Sequence, residues 1–232
     1  DPARAGLPIG INEAHLAPVL LDASEPHLVV FGDAECGKTN LLRMIGRQIM
    51  EKFTPAEARI VIGDYRRGLL GAIEGDHLLD YSPSSEVFST NMKQIRGALQ
   101  ARLARPGRDA AAAARPVLVA GPGPVCARRR LRPGASGGNN PLSSITDLLP
   151  QARDIGLHLI LTRRMGGAAR AGYEQVLQRL RELDTPTLMM SGNREEGQIV
   201  GNLRPSPQPP GRGMLVRRRD GQNLIQTAWT EP

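Results

Sequence analysis

The sequence predicts an α/β fold built on a doubly wound, mostly parallel sheet with antiparallel strands at its edge. Two observations support this prediction. Residues 32–39 match the phosphate-loop pattern G-x-x-x-x-G-K-[ST], and they lie between a β-branched apolar run and a helical pattern. After this loop, strand-like and helix-like segments alternate, which is the order that produces a parallel sheet.

The loop has a chemical rationale. Its glycines let successive N–H groups turn inward toward phosphate oxygens, and the start of the next helix adds positive potential. Lys38 is expected to reach the β- and γ-phosphates, and the Thr39 hydroxyl to ligate Mg²⁺. Only three of the 30 basic residues are lysines, so a lysine inside the motif argues against a chance glycine turn. The residues predicted to bind ATP are Gly32, Asp33, Ala34, Glu35, Cys36, Gly37, Lys38, Thr39 and Asn40.

The composition is typical of one intracellular domain. The 232 residues suffice for one sizeable core, and no Pro/Gly linker divides them, so we expect a single domain over residues 1–232. No apolar run approaches the roughly 18 residues of a bilayer span, and the start lacks a signal-peptide pattern. The two cysteines lack metal-site or disulfide spacing. Cys36 is either a redox-sensitive thiol at a helix start or, the interpretation we favour, a small residue tolerated in the loop.

The basic charge is concentrated in one segment. The net charge of +7 suggests a nucleic-acid partner at first sight. Between Leu103 and Ser136, however, seven arginines face one acid, Asp109, so this segment supplies +6 and the rest of the chain +1. We therefore expect no specific nucleic-acid partner.

The secondary-structure pattern gives the order of the elements. The loop-like stretch Gly68–Ser85 separates the first half of the pattern from the second. Predicted strands cover Pro8–Ile11, Leu16–Leu21, His27–Phe31, Arg59–Asp64, Leu157–Thr162 and Thr187–Met190, and a hairpin turns at Asp220-Gly221. Predicted helices cover Lys38–Lys52, a segment capped by Ser84 or Ser85 that buries Phe88, Met92, Ile95 and Leu99, a segment from Asn140 to Ile155, a segment around Tyr173–Leu183, and a start at Asn193–Glu196.

Five segments, in order, carry a family resemblance. They are the phosphate loop with Asn40–Arg43, then Gly63–Arg67, Leu148–Arg164, Ser191–Gly197 and Pro210–Gly213. These segments resemble FtsK/SpoIIIE-type ATPases and, among them, the C-terminal ATPase domain of the EccC subunit of mycobacterial type VII (ESX) secretion systems. The likeness covers residues 7–102 and 137–229.

The resemblance implies a RecA-like P-loop domain that binds ATP between subunits and helps to recognise and export small WXG-type proteins. It also implies a cytoplasmic, hexameric assembly, associated with the inner membrane through membrane-embedded secretion subunits and joined to other EccC ATPase domains. The last domain of such a tandem would receive the export signal of the substrate in an apolar surface groove.

One motif departs from the family. The resemblance implies a strand that ends in acids shortly before Asn140, where an acid helps to hold Mg²⁺ and to position water. The corresponding stretch, Pro116–Pro124, contains no carboxylate. Residues 103–136 are either a divergent exposed loop in a domain with little turnover or an out-of-frame translation in a GC-rich gene. The second interpretation is favoured because out-of-frame GC-rich codons give an Arg/Ala/Pro/Gly-rich composition, and because a buried central strand should not read Gly-Pro-Gly-Pro.

Further residues at strand ends have competing interpretations. Thr162 stands where related translocases place a sensor of the γ-phosphate. Asp64 could contact Mg²⁺ or its waters, but we favour a hydrogen-bonded strand terminus. His158 is expected to pack in the core rather than act as a base. Three arginines are either ordinary surface residues or arginine fingers that act across a subunit interface: Arg163, Arg164 and Arg212.

Three hypotheses follow from the sequence. The leading one is an ATP-binding domain of a type VII secretion ATPase whose hydrolysis is weak or absent, since the acid of the second motif is missing. A DNA-translocating motor of the wider family is an enzymatic alternative. A protein-recognition module with structural ATP is a non-enzymatic alternative.

Overall fold

The computed structural model describes residues 6–22, 24–104, 115–120, 140–168 and 174–231. Within these ranges, the ten strands are β1 (Leu7–Asn12), β2 (Pro18–Leu21), β3 (His27–Phe31), β4 (Ala58–Gly63), β5 (Leu78–Ser82), β6 (Arg115–Ala120), β7 (His158–Arg163), β8 (Thr187–Met189), β9 (Arg212–Arg217) and β10 (Gly221–Thr227). The helices described are α1 (Lys38–Lys52), α2 (Ser85–Leu103), α3 (Ala152–Ile155) and α4 (Gln175–Glu182), with 3-10 helices at Pro141–Gln151 and Arg194–Glu196.

All ten strands form one sheet in the order β2-β1-β10-β9-β8-β3-β7-β6-β4-β5. The strands from β8 to β5 pair in parallel, whereas β9, β10, β1 and β2 continue the sheet with antiparallel pairing. The predicted α/β class, with a mostly parallel sheet and antiparallel edge strands, is therefore confirmed.

Alternate residues of the central strand β3 serve two hydrophobic cores, as expected for a strand buried on both faces. Leu28 and Val30 pack in one core with the buried side of α1. Val29 and Phe31 pack in the other core with α2, α4 and the 3-10 helix Pro141–Gln151. Helices on both faces of the sheet make the fold doubly wound.

Helix α2 follows the sequence pattern closely. The Ser84 hydroxyl accepts a hydrogen bond from Val87 N at 3.3 Å, which caps the helix start. The predicted apolar face is buried and consists of Phe88, Met92, Ile95 and Leu99. On the outer side, Arg96 pairs with Asp147 at 2.5 Å and ties α2 to the neighbouring 3-10 helix.

Two predicted elements were wrong. Residues 78–82, predicted as loop, form the edge strand β5, whose pairing with β4 outweighs its mixed composition. Residues 141–151, predicted as α-helix, form a 3-10 helix and only Ala152–Ile155 is α-helical. Pro150 lies inside the 3-10 segment, and its missing N–H removes the i−4 hydrogen bond that an α-helix would make there.

The strand that the resemblance places before the missing acid is present as β6. Ala120 pairs with Gly63 of β4 on one side and with Leu161 of β7 on the other. Residues 105–114 and 121–139, which include the Gly-Pro-Gly-Pro run and six of the seven arginines of the basic segment, lie outside the described residues. Within the described part of the chain, no helix combines the length and the apolarity that crossing a bilayer requires.

Candidate nucleotide site

The phosphate loop lies at the carboxyl edge of the parallel strands. It connects the end of β3 with the start of α1, and β3 is flanked by β7 and β8 in parallel register. Backbone bonds hold the loop entrance to both neighbours, because Gly32 N donates to Arg163 O at 3.1 Å and Asp33 N to Ser191 O at 2.9 Å. The loop therefore sits where open α/β sheets bind their ligands.

The loop glycines are required by their surroundings. Gly37 has φ 104°, in the left-handed region, and a Cβ there would meet the backbone nitrogen of Gly211 at 3.0 Å. A Cβ on Gly32 would lie 2.4 Å from the Cys36 sulfur. Glycine at both positions thus allows the loop backbone to fold this tightly.

Lys38 brings a positive charge into the phosphate loop. Its side chain folds back over the loop and donates to the carbonyl oxygen of Gly32 at 2.7 Å and to that of Asp33. The ammonium group also lies 3.3 Å from the Cys36 sulfur, and the lysine is only 6% exposed. A buried cation held by uncharged carbonyl groups is well placed to attract phosphate oxygens.

The start of α1 fits an anion as well. Among the described residues, no side chain caps this helix, whose N-cap is Gly37, and its first turn contains no acid. The first N–H groups of the helix therefore face the loop without a carboxylate competing for them. The donor set of the loop consequently fits a polyphosphate such as that of ATP.

The surroundings of Thr39 bear on metal binding. Thr39 follows Lys38 in the first turn of α1, and a Cβ on Gly68 would lie 3.2 Å from its methyl group. The loop after β4 therefore packs directly beside the predicted Mg²⁺ ligand. Among the described residues, no group of three His, Cys, Asp or Glu side chains could hold a metal ion alone. Mg²⁺ at Thr39 would thus depend on phosphate oxygens and water.

Asp64 directly follows β4 and is fully buried. It accepts hydrogen bonds from Arg66 N at 3.1 Å, from Leu69 N at 2.7 Å and from the Tyr81 hydroxyl at 3.1 Å. Burial and the neighbouring Asp64 raise the pKa of Tyr81 to about 12, so the phenol remains a donor at neutral pH. These contacts are those of a hydrogen-bonded strand terminus that shapes the loop beside Thr39. A metal role of Asp64 stays a prediction.

Thr162 lies in the row of strand ends that faces the loop. It is fully buried and pairs in register with Val30, two residues before Gly32. His158 stands at the opposite end of β7, half-buried and roughly 13 Å from Thr162 at about 3.3 Å per residue. His158 therefore lies at the end of the sheet away from the loop, and it is only half-buried rather than packed in the core as expected.

The three arginines considered as fingers differ in their surroundings. Arg163 forms a 2.5 Å ion pair with Glu174, and both side chains are largely buried. Arg212 pairs with Glu13 beside the turn at Gly211. Arg164 is exposed. A finger role remains a prediction for each, and Arg163 and Arg212 would first have to leave partners within their own domain.

Sequence reasoning missed two contacts around the loop. Gly211 N donates to Cys36 O at 2.8 Å, so the turn before β9 packs on the phosphate loop. The Asn40 side chain, predicted to contact nucleotide, binds the backbone of Ala228 and Thr230 after β10. Both contacts join residues far apart in sequence, and the only available signal was the Pro210–Gly213 segment of the family resemblance.

Known proteins resemble the chain over nearly its whole length. The EccC protein of the ESX secretion system of Thermomonospora curvata is 45% identical over 97% of this chain. The chain spans only 17% of the length of that curated relative. A solved structure of T. curvata EccC (ATPases 2 and 3) with a signal sequence peptide is 44% identical, with a TM-score of 0.87, and the match covers all of this chain and 42% of that one.

A third similar protein is a solved structure described as an ATPase. It is 30% identical, with a TM-score of 0.83, and the match covers 97% of this chain and 88% of that one. No family model matches the chain. The sheet topology and the phosphate loop, taken with these neighbours, define a RecA-like P-loop ATPase domain. The relatives identify the family within this class: the chain belongs to the EccC family of type VII secretion ATPases.

Proposed function

We propose that this chain is an ATP-binding domain of a type VII secretion ATPase that helps to recognise and export WXG-type proteins. It would act on the cytoplasmic side of the inner membrane with other EccC ATPase domains, in a hexamer beneath membrane-embedded secretion subunits. The observation that carries the proposal is the buried Lys38 ammonium beside an uncapped, acid-free helix start. Residues 1–232 would form one ATPase domain of the longer relatives.

In this function, the loop N–H groups and Lys38 would hold the β- and γ-phosphates of ATP, and Thr39 would hold Mg²⁺. Bound MgATP supplies the phosphoryl group. Thr162, at the end of β7 beside the loop strand, would hydrogen-bond in the region of the γ-phosphate. The sequence contains no carboxylate from residue 110 to residue 146, so no acid directly after β6 would order an attacking water.

Slow turnover is therefore expected. We predict phosphate release slower than about 0.01 per second from saturating MgATP, since positioning of the nucleophile is incomplete. A malachite-green or coupled assay measures the rate, and the intact mass of the same sample should equal the calculated 25.0 kDa. Fast hydrolysis by a sample of that mass would contradict the prediction. Asp64, the acid at the end of neighbouring β4, would then be the first candidate for the metal role.

Substrate recognition is proposed at a cavity of 560 Å³ on the face of the sheet opposite α1. The β3 residues Val29 and Phe31 line it, and Phe31 directly precedes the loop. Five of the other lining residues are apolar, namely Leu177, Leu180, Ile199, Val200 and Val216, and seven are polar or charged, namely Arg181, Asp184, Thr185, Thr187, Gln198, Arg217 and Arg218. An amphipathic export signal could bury its apolar face in such a groove.

A charge in this groove is expected to weaken peptide binding. Val200→Glu should reduce affinity at least about tenfold, because the apolar face of the bound peptide would desolvate the carboxylate. The probe is the signal sequence peptide of the T. curvata EccC complex, labelled for fluorescence anisotropy. Leu79→Glu, on the far edge strand β5, is the control because Leu79 is 55% exposed. Unchanged affinity of the Val200 variant would place the peptide elsewhere.

A further inference from the structure

The segment after β10 is fastened to α1 at two places, Asn40 in the first turn and Arg47 in the third. The Asn40 amide donates to Ala228 O at 2.8 Å, and Thr230 N donates to Asn40 Oδ1 at 2.9 Å. About two turns further along α1, the Arg47 guanidinium donates to the Thr230 hydroxyl at 2.9 Å. We call these hydrogen bonds from Asn40 and Arg47 to Ala228 and Thr230 the clamp. Asn40 directly follows Thr39, so the clamp includes the residue next to the predicted Mg²⁺ ligand.

The same segment is tied to the phosphate loop from the other side. Thr227 donates from its backbone N at 2.8 Å and from its hydroxyl at 3.0 Å to Gly211 O. Gly211 in turn donates to Cys36 O in the loop at 2.8 Å. Residues 227–230 are therefore positioned by the loop and by the helix that follows it.

Trp229 lies between the two hydrogen bonds made by Asn40. It is the only tryptophan of the chain and is 74% exposed. The clamp fixes the backbone on either side of it, while its large ring remains available to solvent. A fixed, exposed indole beside a phosphate-binding loop is suited to stack on a flat aromatic ligand.

We propose that Trp229 is a stacking surface for the base of the nucleotide whose phosphates occupy the loop. The inference rests on the proposed nucleotide binding at residues 32–39 and adds a base-binding residue to it. The ligand class is a nucleoside triphosphate. Stacking accepts any base with a π-face, so this contact strengthens binding without choosing between purines.

The test compares two probes on the 232-residue chain by calorimetry, namely MgATP and inorganic tripolyphosphate, which has no base. Trp229→Ala should weaken MgATP binding about tenfold and leave tripolyphosphate binding unchanged. Trp229→Phe keeps an aromatic face and should retain most of the affinity. Leu79→Ala, another exposed apolar residue, is the matched control and should change neither value.

Tryptophan emission gives an independent readout, because it reports on Trp229 alone. MgATP should change the emission of the unmodified chain with the midpoint that calorimetry gives, and tripolyphosphate should not. The inference is overturned if Trp229→Ala binds MgATP normally, or if it weakens both probes equally, which would reflect a damaged clamp. In either case loop binding itself stands. Failure of the unmodified chain to bind either probe would overturn both proposals.

Discussion

Lys38→Ala is expected to lower ATP affinity at least tenfold. The substitution removes a charge-assisted contact to the phosphates, which is worth about 1.5 to 3 kcal/mol. It also removes the ammonium group that the carbonyl oxygens of Gly32 and Asp33 hold in the free loop. Calorimetry of MgATP binding to the variant and to the unmodified chain measures the loss.

The control for this prediction is Lys52→Ala, which removes a lysine from the other end of the same helix. Circular dichroism should show that both variants keep the fold, because Lys38 bonds to the loop rather than to the core. Equal ATP affinity in the Lys38 variant and the unmodified chain would mean that nucleotide binds elsewhere.

Asp64→Ala is expected to destabilise the domain by about 3 kcal/mol or more. The carboxylate is fully buried, and its removal leaves Arg66 N, Leu69 N and the Tyr81 hydroxyl without their acceptor. For a chain of this size, such a loss lowers Tm by roughly 6 to 12 °C. Thermal unfolding followed by circular dichroism measures the shift.

Two milder variants test the cause of this effect. Tyr81→Phe removes one of the three donors and should cost about 1 kcal/mol. Asp64→Asn keeps one acceptor oxygen and should fall between the other two variants. A Tm of Asp64→Ala within about 2 °C of the parent value would show that the hydrogen bonds of Asp64 contribute little to stability.

The local parts of this molecule were predictable from sequence. The phosphate loop is set by a few adjacent residues whose conformation the glycines dictate, and the alternating apolar pattern of β3 and the buried face of α2 need no distant information. The antiparallel edge also followed, because short strands and the Asp220-Gly221 turn signal hairpin pairing.

The parts that were missed depend on distant partners. Strand β5 exists because β4 offers it a parallel edge, and nothing in Leu78–Ser82 alone indicates that pairing. The segment after β10 reaches Asn40 across 188 residues of sequence, so its clamp on α1 was invisible to local patterns. The pairing of Arg163 with Glu174, which bears on its availability as a finger, was hidden for the same reason.

The central claim is that residues 32–39 hold the phosphates of ATP. Hydrogen–deuterium exchange of the 232-residue chain, with and without MgATP, tests this claim most directly. The account predicts slower exchange in the loop and the first turn of α1, because their N–H groups would bond to phosphate oxygens. Unchanged exchange in residues 32–41 at saturating MgATP, with or without protection elsewhere, would contradict the account.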